Sequence, residues 1–161
     1  MNLNRQNMPN QLVEALQALV RLELAVGELY KACSVRWPHD GRFWLEVARQ
    51  ETDHAHAIER MLAIIALNPG NFAPLKAIRV NAVDTIVSGI ETRAEQIRSG
   101  LLTEINALHI ALDLEKSVLE NRFYDMVQTT DPAFLTMCSE IMDQTRDHKS
   151  HFENRIAALK T

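Results

Sequence analysis

Residues 49–61 read RQETDHAHAIERM, and the reading of this stretch decides the fold. Extended on both sides, it places Trp44, Val47, Ile58, Met61 and Ile65 at intervals of three, four and seven. Those intervals mark one face of an amphipathic helix. Glu51 and His54 occupy the two positions in the middle of that face. A carboxylate and an imidazole buried without partners are costly. The stretch therefore predicts a helix, in which these two groups either point at water or are compensated by something inside the protein.

Working outward, glycine and proline are scarce, five of each in 161 residues, and they cluster as punctuation. They stand at Pro9, Pro38 to Gly41, Pro69 to Pro74, Gly100 and Pro132. Between them run stretches rich in Ala, Leu, Glu, Arg and Ile with almost no alternation of period two, which predicts an all-α chain. The first helix is expected from Asn10, a candidate N-cap, to Val35. The second follows from Asp40 to Leu67, and a shorter third covers Ile78 to Arg98. The fourth is expected over Leu101 to Val127, and the last, capped by Asp131 with Pro132 at its first position, reaches Leu159. Four of these are long, about 40 Å each at 1.5 Å per residue. Short connections within each pair, with a crossover of about 30 residues between the pairs, match the connectivity of ferritin-like bundles. Residues 1–9 are expected as a tail and 10–161 as one domain. No internal repeat is evident.

The other helices carry similar breaks in their apolar stripes. In the first, Leu12, Leu16, Leu19, Val26, Tyr30 and Cys33 enclose Glu23, while Glu28 falls off the stripe. In the fourth, Ile105, Leu108, Leu112, Leu119 and Met126 enclose Glu115, and Arg122 is expected to snorkel. In the last, Leu135, Cys138, Ile141, Phe152, Ile156 and Leu159 enclose Thr145 and His148, spaced like Glu51 and His54. Each break lies about 11 to 14 residues from its helix start, so the levels agree within about 5 Å. Glu23, Glu51, His54, Glu115 and His148 are thus expected to converge inside the fold. Three carboxylates and two imidazoles in a low-dielectric interior shift one another's pKa values strongly. A cation relieves that conflict, and this donor set suits iron, manganese or zinc. One Glu from each of two helices plus Glu-x-x-His from the others is the di-iron carboxylate arrangement.

The chain resembles the rubrerythrin-like branch of the ferritin-like superfamily. The matching pieces are ELAVGELY (residues 23–30), ETDHAHAIERM (51–61) and DLEKSVLENRFY (113–124). The resemblance implies a four-helix bundle with a non-haem di-iron centre and chemistry with peroxide or oxygen. It makes Glu23 and Glu115 terminal carboxylates, His54 and His148 terminal imidazoles, and Glu51 a bridging carboxylate. The last helix departs from the family pattern, because TRDH puts Thr145 in place of a second bridging Glu. No rubredoxin-type cysteine pairs follow Leu159, so a redox cycle takes an external electron donor. Asp143 and Asp147 lie off the line of Thr145 and His148, and His151 is a weaker candidate ligand.

The remaining residues receive plainer readings. Tyr30 and Tyr124 fit core positions with satisfied hydroxyls, or neighbours of a metal ligand. Trp37, Phe43 and Trp44 pack the first turn. His39, His56 and His109 read as surface or structural, and Cys33 and Cys138 as inert thiols without a CxxC pair. The net charge of -4 without a basic block argues against nucleic acid. No apolar run has membrane-spanning length, and MNLNRQNMPN lacks a signal-peptide core; cytoplasm is the default expectation for location. A homodimer is the expected assembly. The rival expectation is a metal-free helical bundle with a structural or partner-binding role, and Thr145 speaks for it.

Overall fold

The structure is a computed structural model that describes residues 3–75, 79–121 and 125–159, with side chains described from residue 10 onward. The chain is all-α. Among the described residues are five α-helices: α1 (Leu3–Arg36), α2 (Gly41–Leu67), α3 (Val80–Arg98), α4 (Glu104–Asn121) and α5 (Pro132–Ala158). Two short strands, β1 (Ala73–Pro74) and β2 (Val127–Gln128), pair antiparallel and tie the start of the crossover to the α4–α5 connection.

Several boundaries differ from expectation, each for a local reason. Helix α1 begins at Leu3, ahead of Asn10. Asp40 does not cap α2 with its side chain. Its carboxylate instead accepts from Arg155 near the end of α5, pinning the first turn to the last helix. The start predicted at Ile78 lies outside the described residues, and α3 is described from Val80. It closes on Gly100, whose φ of 77° is open to glycine at little cost. There Leu101 N–H donates to Gln96 and Gly100 N–H to Ile97, a Schellman closure. Helix α4 is described over Glu104–Asn121, within the element predicted over Leu101 to Val127, whose last residues include Arg122 to Tyr124 outside the described residues. It starts after Thr103, whose hydroxyl accepts from the Asn106 amide while Asn106 Oδ1 takes bonds from Thr103. At its far end Met126 and Val127 leave the helical path, and Val127 pairs with Pro74. Asp131 caps α5 as predicted, accepting from Phe134 N–H at 2.9 Å.

Packing follows the stripes, with one addition. The α1 and α2 stripes are buried at every predicted position. A second α1 stripe, Ala15, Ala18, Leu22, Ala25, Leu29 and Ala32, is buried too. The cause is α3, which lies along α1, with Arg21 bonded to Asp84 near one end and Gly100 against Arg36 at the other. In α5 the predicted Leu135 and Leu159 are exposed, and Phe134 is buried in place of Leu135. Helices α2 and α5 run antiparallel: Asp40 meets Arg155, Gln50 meets His148, and His54 meets Gln144. Tyr30, Phe43, Trp44 and Phe152 form an aromatic cluster, with ring centroids 5.4 to 5.8 Å apart. Arg155 lies over the Phe43 ring at 3.8 Å, a cation–π contact.

Candidate metal centre

The polar breaks of the stripes meet inside the protein. Glu23 from α1, Glu51 and His54 from α2, Glu115 from α4, and Thr145 and His148 from α5 are all buried, none more than 4% exposed. Each sits mid-helix, where backbone groups are already bonded within the helix and offer the side chains nothing. Compensation must therefore come from the other side chains. Helix α1 passes close to α2 at this level. A Cβ on Gly27 would lie 3.5 Å from Glu51 Cβ and 3.4 Å from the Ala48 carbonyl oxygen.

Two groups of three ligand atoms arise, Glu23–Glu51–His54 and Glu51–Glu115–His148. Within each, the ligand atoms lie within 4.8 Å of one another, and Glu51 belongs to both. Its Oε2 lies 3.1 Å from His54 Nδ1, and Glu23 Oε2 lies 3.8 Å from the same nitrogen. Its Oε1 lies 2.9 Å from His148 Nδ1, while Glu115 Oε1 is 3.5 Å from that nitrogen. The 2.9 Å contact is not aligned as a hydrogen bond, and both atoms are buried without one. Charge attraction holds them, and two donor atoms face a common space. The imidazole rings stack with centroids 5.8 Å apart. Tyr30 donates its hydroxyl proton to Glu115 Oε1 at 2.7 Å, which places Tyr30 beside a candidate ligand.

The far edges of both imidazoles are held by residues the stripe reading passed over. His54 Nε2 lies 2.8 Å from Gln144 Oε1, and His148 Nε2 lies 2.5 Å from Gln50 Oε1. A glutamine carbonyl can only accept, so each Nε2 carries a proton, and each Nδ1 faces the carboxylates, with a second proton there in the metal-free protein. The struts are reciprocal, since each helix supplies the glutamine that orients the other's histidine. The signal was present as a shared short pattern, QETDH at 50–54 and QTRDH at 144–148.

Electrostatics follow from burial and crowding. Burial pushes Glu23 up to about 7, the charge on Glu51 adds to this, and His54 opposes it. Glu115 is raised by burial and by Glu51 against the pull of His148 and Tyr30. Glu51 goes the other way: despite burial, His148 and His54 hold it well below the usual carboxylate range. Burial disfavours both imidazoliums, yet Glu23 and Glu51 lift His54 to about 11, and Glu115 and Glu51 lift His148 to about 9. Without metal, two protons thus occupy the places a cation would take.

Thr145 is buried in line with the site, but its hydroxyl donates to the Ile141 carbonyl at 2.8 Å. His151 is exposed and is no ligand. Asp143 and Asp147 are exposed as expected, with Asp143 bonded to Arg146. His39, His56 and His109 are exposed, and His39 meets Glu104 at 2.9 Å. Glu28 is exposed and bonded to Lys31. Cys33 and Cys138 are free, and burial pushes their thiols up to about 12 and about 11. Arg122 and Tyr124 lie outside the described residues.

The donor set of three carboxylate and two imidazole side chains, with unsatisfied buried atoms facing inward, fits a divalent metal. No protein-family model, curated protein or solved structure matches the chain. Among the described residues no helix is long and apolar enough to cross a membrane.

Proposed function

We propose that the chain is a rubrerythrin-like member of the ferritin-like superfamily, with α1, α2, α4 and α5 as its four-helix bundle. In this reading its centre holds iron, or a similar divalent metal such as manganese or zinc. It acts as an oxidoreductase on peroxide or oxygen with an external electron donor, as a cytoplasmic homodimer. The observation that carries the reading is the sharing of Glu51 between two buried three-ligand groups, one atom of which faces His148 Nδ1 without a hydrogen bond. Glu23 and His54 would hold one ion, Glu115 and His148 the other, and Glu51 both.

A bound redox metal would supply the electron exchange with the oxidant. The chain's own part is preparation. Gln144 and Gln50 fix the ring orientation and keep each Nδ1 lone pair available. Tyr30 holds Glu115 in place. The packed rings of Trp44 and Phe152 behind Tyr30 exclude bulk water on that side.

A second reading is favoured by the ion pairing already described. Protonated His54 and His148 neutralise the carboxylates without any metal, so the same cluster serves a metal-free bundle with a structural or partner-binding role. Metal analysis separates the two. Protein purified from iron-supplied cells should carry about one to two metals per chain, and Glu51→Gln should lose them from both groups. Wild-type protein that stays empty under iron, manganese and zinc supply would leave only the second reading.

A further inference from the structure

The shared pattern of QETDH and QTRDH makes Thr145 the counterpart of Glu51. Both lie three residues before a histidine whose ring the opposite helix holds through a glutamine. Glu51 reaches both ligand groups, whereas Thr145 turns its hydroxyl onto its own helix and brings no charge. Helix α5 offers no substitute carboxylate here, because Asp143 and Asp147 face solvent.

Two deficits fall at this one place. Each three-atom group is short of the four donors of a closed site, which is the pattern of sites that accept an outside ligand. Two divalent ions carry four positive charges against three carboxylates, and one uncompensated charge in a buried site is costly. One more monoanion corrects both. Resting on the metal reading above, we infer that the Thr145 side of the centre binds a small external carboxylate of formate size, which completes the metal ligation opposite Glu51. Small size follows from the exchange of residue types at a buried position: Thr145 is only 2% exposed, and a glutamate side chain exceeds a threonine's by about one carboxyl group. Gln144, by contrast, is exposed while its carbonyl touches His54, so one residue of side chain separates this edge of the centre from the surface.

The test titrates metal-free protein with Co²⁺ in a weakly coordinating buffer, with formate, with benzoate, or with neither. Formate should tighten uptake of the second Co²⁺ about tenfold or more and shift the visible spectrum, as loss or gain of a ligand-shell contact does. Benzoate, too large for the place, should do neither. Thr145→Glu should take two Co²⁺ without formate and lose the response. Thr145→Leu, which fills the place with an apolar side chain, should keep Co²⁺ binding and also lose it, and this variant decides the matter if the Glu variant does not fold. The inference is overturned if formate leaves wild-type affinity and spectrum unchanged, the result if hydroxide from water completes the centre, or if the response survives in Thr145→Leu. Absence of Co²⁺ binding in wild type and Thr145→Glu alike would instead overturn the metal reading itself.

Discussion

Loading the centre with metal should expel protons, and the number follows from the geometry. At pH 7 His54, lifted to about 11, and His148, lifted to about 9, each hold a proton on the side facing the carboxylates. Glu23, raised to about 7, holds about half of one. A metal ion requires these groups deprotonated, so full loading at pH 7 should release at least about two and a half protons per chain, to which Glu115, also raised, adds its share. Apparent affinity must then rise with pH, by about two decades per unit up to about pH 9 for the two-metal reaction, and less steeply above. The stability of the metal-free protein moves the opposite way. All three folded values exceed those of the unfolded chain, so their contribution is present at low pH. It is lost as pH rises through about 7 for Glu23, about 9 for His148 and about 11 for His54. The assay is calorimetric titration with Zn²⁺ in buffers of different ionisation enthalpy, which counts protons directly. Release of fewer than about one proton, or an affinity flat between about pH 6 and 9, would refute ligation by these histidines.

The glutamine struts should matter for binding more than for folding. Gln50→Leu and Gln144→Leu are each expected to weaken metal affinity by about 10- to 100-fold, measured by competition with a chelating dye, while helix content by circular dichroism is unchanged. Two glycines should respond oppositely in thermal unfolding. Gly89 lies within α3, and a Cβ there would meet nothing within 4 Å, so Gly89→Ala should stabilise by about 1 kcal/mol. Gly100→Ala forces a left-handed residue at the α3 closure and should destabilise by about 1–2 kcal/mol.

Stripe periodicity alone made α1, α2 and most of α5 legible, together with the five residues that converge, because a buried polar residue in an apolar stripe is rare enough to stand out. The departure of Met126 and Val127 from α4 was not legible. The apolar pattern continues through Met126 and Val127, and only the pairing of Val127 with Pro74, distant in the chain, draws that segment off the helical path. The second buried face of α1 was equally hidden, since its alanines become interior only because α3 lies over them.

The sequence by itself determined that the chain is helical and which carboxylates and imidazoles face inward, since helix periodicity and the cost of burying unpaired polar groups are local properties. Only the tertiary structure decided the distances at which Glu51, a bridge in the resemblance, reaches both histidines, and that Gln50 and Gln144 hold each other's histidines. Those outcomes depend on the register between α2 and α5, which is set by packing across the whole interior and which no single helix carries in its own residues.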